Sequence, residues 1–188
     1  TRLPAQALPP VTLHSQFTLS PQQLDNHFTL RLLERRLPDG ALIIHGNSAT
    51  KLATDSSPAH TTARWKLKSV ALAGIEKSLK PYLPALPDTL AITAGELHHR
   101  GWLDLNRHGP ALRLLQEVRG LNGSHGETRL LGASWQSETL RSHRGRLTDS
   151  GTLRIDFIDL GIPLEALSSQ YRYTQPGGRT AELALDSS

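Results

Sequence analysis

The chain has 188 residues, 37% of them aliphatic or aromatic, which is enough to bury a core. Its 21 basic and 17 acidic side chains give a net charge of +4 without a Lys/Arg block, so the composition argues against a nucleic-acid partner. Cysteine is absent, which excludes disulfides, thiolate chemistry and cysteine-ligated zinc within these residues.

The opening TRLPAQALPP is proline-rich and reads as an extended lead-in. From Val11 the pattern alternates, with Val11, Leu13, Phe17 and Leu19 opposite Thr12, His14, Gln16 and Thr18, the period-2 mark of a half-buried strand. Serine and proline at 20 and 21 punctuate it. A second run, His27 to Glu34, puts Phe28, Leu30 and Leu32 on one face, and after the turn LPDG a third run supplies Leu42 and Ile44. Residues 46 to 60 are small and polar and read as a loop. Alternation resumes from Thr61 to Ser69, with Ala63, Trp65 and Leu67 opposite Arg64, Lys66 and Lys68.

Leu72, Ile75 and Leu79 then recur at helical spacing, which predicts one short amphipathic helix over 71–80, ended by Pro81. The stiff PYLPALPD that follows is the one candidate internal boundary, dividing 1–85 from 86–188. Beyond it Leu90, Ile92 and Ala94 hold one parity, and Leu97, Leu103 and Leu105 the other. A one-residue slip at the glycines between Gly95 and Gly101 predicts a β-bulge. Shorter strands are expected at Ala111 to Val118, Glu127 to Trp135, Arg146 to Leu160, Ser168 to Thr174 and Arg179 to Leu185, with NRHGP, GLNGSHG, DSG, GIP and QPGG as turns.

The expected fold is therefore all-β and mainly antiparallel, with about nine or ten strands and one short α-helix. Nine strands ~4.8 Å apart are too many for a flat open sheet. A curved gutter or taco-like groove answers that, and a closed β-sandwich is the alternative. Both halves are expected to form one continuous β module, cut from a longer protein: Met is absent even at position 1, and no leader or run of ~20 apolar residues is present.

Motifs for chemistry are few. His98 and His99 are adjacent, so on a strand they point to opposite faces and cannot share one metal ion. No GxSxG elbow, GxxxxGK[ST] loop or GxGxxG turn occurs, and Asp156 and Asp159 differ in parity. No catalytic residue, metal or cofactor is expected. Trp65, Trp102 and Trp135 read as core or groove residues.

From about Leu86 onward, the text LPDTLAITAGELHHRGWLDLN, VRGLNGSHGETRLLGASW and GTLRIDFIDLGIPLEALSSQYRY resembles the YdbH family. The matching residues are Gly95 to Leu97, Leu121 to Gly126 and Asp159 to Leu164. The resemblance implies an AsmA-like protein anchored in the inner membrane of a Gram-negative envelope and crossing the periplasm as a long β gutter. It implies phospholipid as the cargo and a small outer-membrane lipoprotein as partner, besides the rest of the full-length chain. The same region carries the label "dicarboxylate transport" in that family, which these dispersed arginines do not support. By parity alone, the lining expected of such a groove is Leu13, Phe17, Phe28, Leu30, Leu42, Ile44, Trp65, Leu67, Leu90, Ile92, Leu103, Leu105, Leu112, Leu114, Ile155 and Phe157. The competing expectation is a sealed sandwich serving as a binding or spacer module.

Overall fold

The computed structural model describes residues 11–33, 41–54, 58–175 and 182–187. The opening TRLPAQALPP, the LPDG turn and most of QPGG lie outside them. The elements are β1 (Val11–Leu19), β2 (Gln23–Leu32), β3 (Leu42–Lys51), β4 (His60–Ala71), α1 (Ile75–Leu79), β5 (Leu90–Asn106), β6 (Gly109–His125), β7 (Thr128–Arg141), β8 (Leu147–Asp159), β9 (Pro163–Gln175) and β10 (Glu182–Ser187).

All ten strands form a single antiparallel meander in chain order, β1 through β10, each bonded to its sequence neighbours. The fold is all-β with one short helix, as the alternation implies. The closed sandwich is not formed, because every described strand belongs to that one sheet. Nor does the proline-rich connector divide the sheet. Strands β4 and β5, on either side of it, pair from Thr61↔Leu105 to Ala71↔Glu96.

Three expected breaks are strand instead. Residues 46–51 continue β3, with Gly46 to Lys51 paired to Phe28 back to Gln23. Most of GLNGSHG lies within β6, which runs to His125 and turns only at Gly126 and Glu127. DSG lies inside β8, paired on both sides. In these places small and polar residues serve positions within a ladder, for reasons the site makes clear. The helix is shorter than its periodicity implies: Gly74, at φ 72, precedes a first helical residue at Ile75.

The bulge expected near Gly95 is present and is one of several. Register shifts fall between Ile92 and Glu96 in the β5/β6 ladder and between Val118 and Gly123 in the β6/β7 ladder. Gly95, Gly120, Gly132 and Ala166 all have positive φ. Around Asp156 the pairings to β7 and β9 are interrupted as well. These irregularities form a line across β5 to β9, and bulges bend the strands and increase their twist. At that end Leu33, Leu72 and Ile75 form the one tightly buried cluster among the described residues, with Leu42, Leu79, Tyr82, Ile92, Leu97, Val118 and Leu121 packed around it. The helix thus covers one end of one face and leaves the remainder of that face without a second layer.

Candidate functional site

Directly paired residues in an antiparallel ladder share a face, so the register sorts the side chains. One row runs Leu13, Leu30, Ile44 and Leu67 across β1 to β4. A second joins Phe28, Gly46, Trp65, Gly101 and Leu114. A third joins Phe17 through Asn26, Ser48 and Ala63 to Leu103 and Leu112. Leu42 pairs with Leu32, Leu105 with Thr61 and Pro110, and Ile155 with Leu167, all on this same side. The expected lining residues therefore share one face. Phe157 stays in step with Ile155, because neither the β7/β8 nor the β8/β9 ladder shifts register between them. Leu90 and Ile92 lie beyond the bulges of β5, whose slip offsets their different parity. Ile92 packs against the helix cluster beside Leu42 and Leu97 of the apolar side, and Phe157 pairs with Leu131 and Glu165.

The opposite face is charged. Arg64, Lys66 and Lys68 alternate with Trp65 and Leu67, and Glu96, His98, Arg100, Glu117 and Arg119 share their side. The Arg119 guanidinium beside Glu117 holds that carboxyl below the usual carboxylate range. Trp102 belongs here rather than in the core, with the Arg113 guanidinium 5.3 Å from its ring centre. A depression of about 1020 Å³ is lined by Lys66, Arg100, Glu117, Arg119, Glu138 and Arg172 together with His99, Gln116, Ser137 and Tyr171, and by none of the aliphatic row from Leu13 to Leu67.

The apolar side is the more crowded one. Leu67, Val70, Ala133 and Ser137 are buried, whereas Arg64, Lys66, Lys68, Arg100, Arg113 and Gln136 are exposed. Even so, no large side chain is fully buried among the described residues, and Leu13, Phe17 and Leu19 are 60%, 62% and 72% exposed.

Sequence reasoning missed how this face is floored. Three aromatic rings each lie over a glycine directly opposite on the next strand: Phe28 over Gly46, Trp65 over Gly101 and Tyr171 over Gly151. A Cβ on Gly46 would sit inside the Phe28 ring, with Cε1 2.7 Å away, and one on Gly151 would be 2.6 Å from Tyr171 Cε1. Glycine at these points lets the rings lie flat along the sheet. The signal was in the sequence: a glycine inside a strand often marks close approach by another group.

Also missed was a polar patch on the same side. The row from Leu13 to Leu67 continues as His99, Gln116, Ser137, Gly151 and Tyr171. Trp65 Nε1 donates to His99 Nε2 at 3.0 Å, and burial lowers the His99 pKa. The Tyr171 hydroxyl lies 3.3 Å from Trp135 Nε1, which donates to it, and itself donates to Asp149 Oδ2 at 3.1 Å, while Thr139 donates to Asp149 Oδ1 at 2.9 Å. Burial pushes the Tyr171 hydroxyl above the usual tyrosine range. Ser137 lies near enough to influence Tyr171 weakly, yet its own buried Oγ has no hydrogen-bond partner. His98, by contrast, meets Glu96 on the charged side, so the two adjacent histidines do face apart.

No family model, curated protein or solved structure matches the chain.

Proposed function

We propose that the apolar side of this sheet shields the acyl chains of phospholipids, as one segment of a bridge that carries lipid between the inner and outer membranes of a Gram-negative envelope. The observation carrying the reading is a broad face of leucine, isoleucine and aromatic side chains with no second layer over most of it. Monomeric soluble proteins rarely leave continuous apolar surface of that extent open. Each CH₂ moved from water onto such a face gains about 0.8 kcal/mol. Rows of similar leucines offer successive positions of nearly equal energy, so a chain can slide without a catalytic step.

The resemblance to the YdbH family supplies the setting we propose: a periplasmic segment of an inner-membrane-anchored chain, with a small outer-membrane lipoprotein as its far-end partner. No enzymatic step is invoked, since passive shielding needs only the apolar rows and an open side for the headgroup.

Native mass spectrometry of the gently purified chain tests the proposal. Phospholipid should co-purify, and Leu30→Asp should remove it while circular dichroism still reports a folded sheet. A lipid-free chain that stays monomeric and folded, with its apolar face unoccupied, would contradict the proposal.

A further inference from the structure

On the apolar side one row changes chemistry part-way across the sheet. Leu13, Leu30, Ile44 and Leu67 are aliphatic, and the next strands supply His99, Gln116 and Ser137 at the same level. Ser137 is only 6% exposed and its hydroxyl is unpartnered. A buried hydroxyl without a partner is costly, and natural folds keep few of them. His99 accepts the Trp65 indole N–H at Nε2, so the neutral ring carries its proton on Nδ1 and presents a donor there. Gln116 stands between His99 and Ser137 and brings an amide NH₂.

We infer that this polar stretch binds the ester carbonyls of a diacyl lipid whose chains lie over the aliphatic stretch of the same row. The inference rests on the groove reading and adds to it the part of the lipid that is recognised. Three considerations select the carbonyls. The groups on offer include neutral donors, which suit neutral acceptors. The row holds no Lys or Arg, and the Asp149 carboxylate lies one row away, engaged by Tyr171 and Thr139; a phosphate would meet a like charge there. Gln116 and Ser137 project from adjacent strands, about 5 Å apart, which is comparable with the spacing of two carbonyls on neighbouring glycerol carbons. The headgroup then remains at the open side, and the lipid is held at a fixed depth by its linkage region.

The test uses the full chain and two phosphatidylethanolamines of equal chain length, one with ester-linked and one with ether-linked chains, offered together in mixed micelles and counted by native mass spectrometry. The wild-type chain should retain the ester lipid about 3- to 30-fold over the ether, the range expected for one or two neutral hydrogen bonds. Ser137→Ala with Gln116→Leu should bring that ratio close to 1 without lowering retention of the ether lipid. Equal retention by the wild type would leave the groove standing and overturn the carbonyl site, as would an unchanged ratio in the double variant. Retention of neither lipid would overturn both. A separate reading comes from the lipid-free chain: Ser137→Ala should keep or raise its melting temperature, and a clear fall would mean that the hydroxyl is satisfied within the fold.

Discussion

Replacing Gly101 with alanine tests whether the flat-lying rings organise the apolar face. The added Cβ would fall within the Trp65 indole, 2.7 Å from Nε1, so the ring must swing off the neighbouring strand. Displacing a packed ring costs about 1–3 kcal/mol. The bond from Trp65 to His99 is lost with it, a further cost of about 0.5–1.5 kcal/mol. Stiffening the unfolded chain returns about 0.4–1 kcal/mol, so Gly101→Ala should destabilise by a net of about 0.5–4 kcal/mol. Urea unfolding followed by circular dichroism gives the value in the natural background and again in Trp65→Ala. With the indole gone, the same substitution should be neutral or mildly stabilising. An equal loss in both backgrounds would show that Trp65 does not lie over Gly101, and the reasoning would be refuted.

Leu30→Asp should cost only about 1–2 kcal/mol in stability, because a carboxylate on an open face stays hydrated. A sealed core would make it one of the exceptional losses above about 4 kcal/mol, and thermal unfolding separates the two cases. Gly132→Ala should cost at least about 1–2 kcal/mol, since Gly132 has φ 63 and a Cβ there would lie 2.8 Å from that of Asp156; a variant as stable as the parent would contradict the bulge line. For His99, burial lowers the pKa below the ordinary histidine value of about 6.5, so the unfolded chain takes up the proton first as pH falls. Its contribution to stability is therefore complete above about pH 6.5 and drains away below it. The melting temperature should drop between pH 7 and 5 by more in the parent than in His99→Gln, and parallel curves would count against a buried, neutral His99. Ile75→Ala should cost about 2–4 kcal/mol by opening a cavity under the helix, measured by denaturant titration, and a loss below 1 kcal/mol would mean that the helix is only loosely docked.

The strands and their apolar faces were legible because alternation is strict where one face is wet and the other is not. Thr61 to Ser69 is such a case, while Val11 to Leu19 alternates although both of its sides are exposed, and most lining residues chosen by parity do share a side. The errors fell where composition mimics a turn. GNSATK reads as a loop, but Gly46 is small because Phe28 lies over it, and the polar residues that follow occupy ladder positions between β2 and β4. In DSG the aspartate is held by Thr139 and Tyr171, and the glycine makes room for the Tyr171 ring. GLNGSHG contains one real turn at Gly126 and one bulge at Gly120, which a glycine count cannot tell apart. The polar patch was out of reach for a different reason. His99, Gln116, Ser137 and Tyr171 become one row only when the register of several ladders is known, and parity within a single strand says nothing about its neighbours.

The most direct measurement places a photoreactive amino acid at one position per variant and asks what it captures in living cells. Probes at Leu13, Leu30 and Ile44 should form adducts with phospholipid, and probes at Arg64, Lys66 and Arg100 on the reverse side should not. Adducts of equal yield on both sides, or protein adducts alone from Leu30 and Ile44, would mean that the leucine-rich side of the sheet meets something other than lipid.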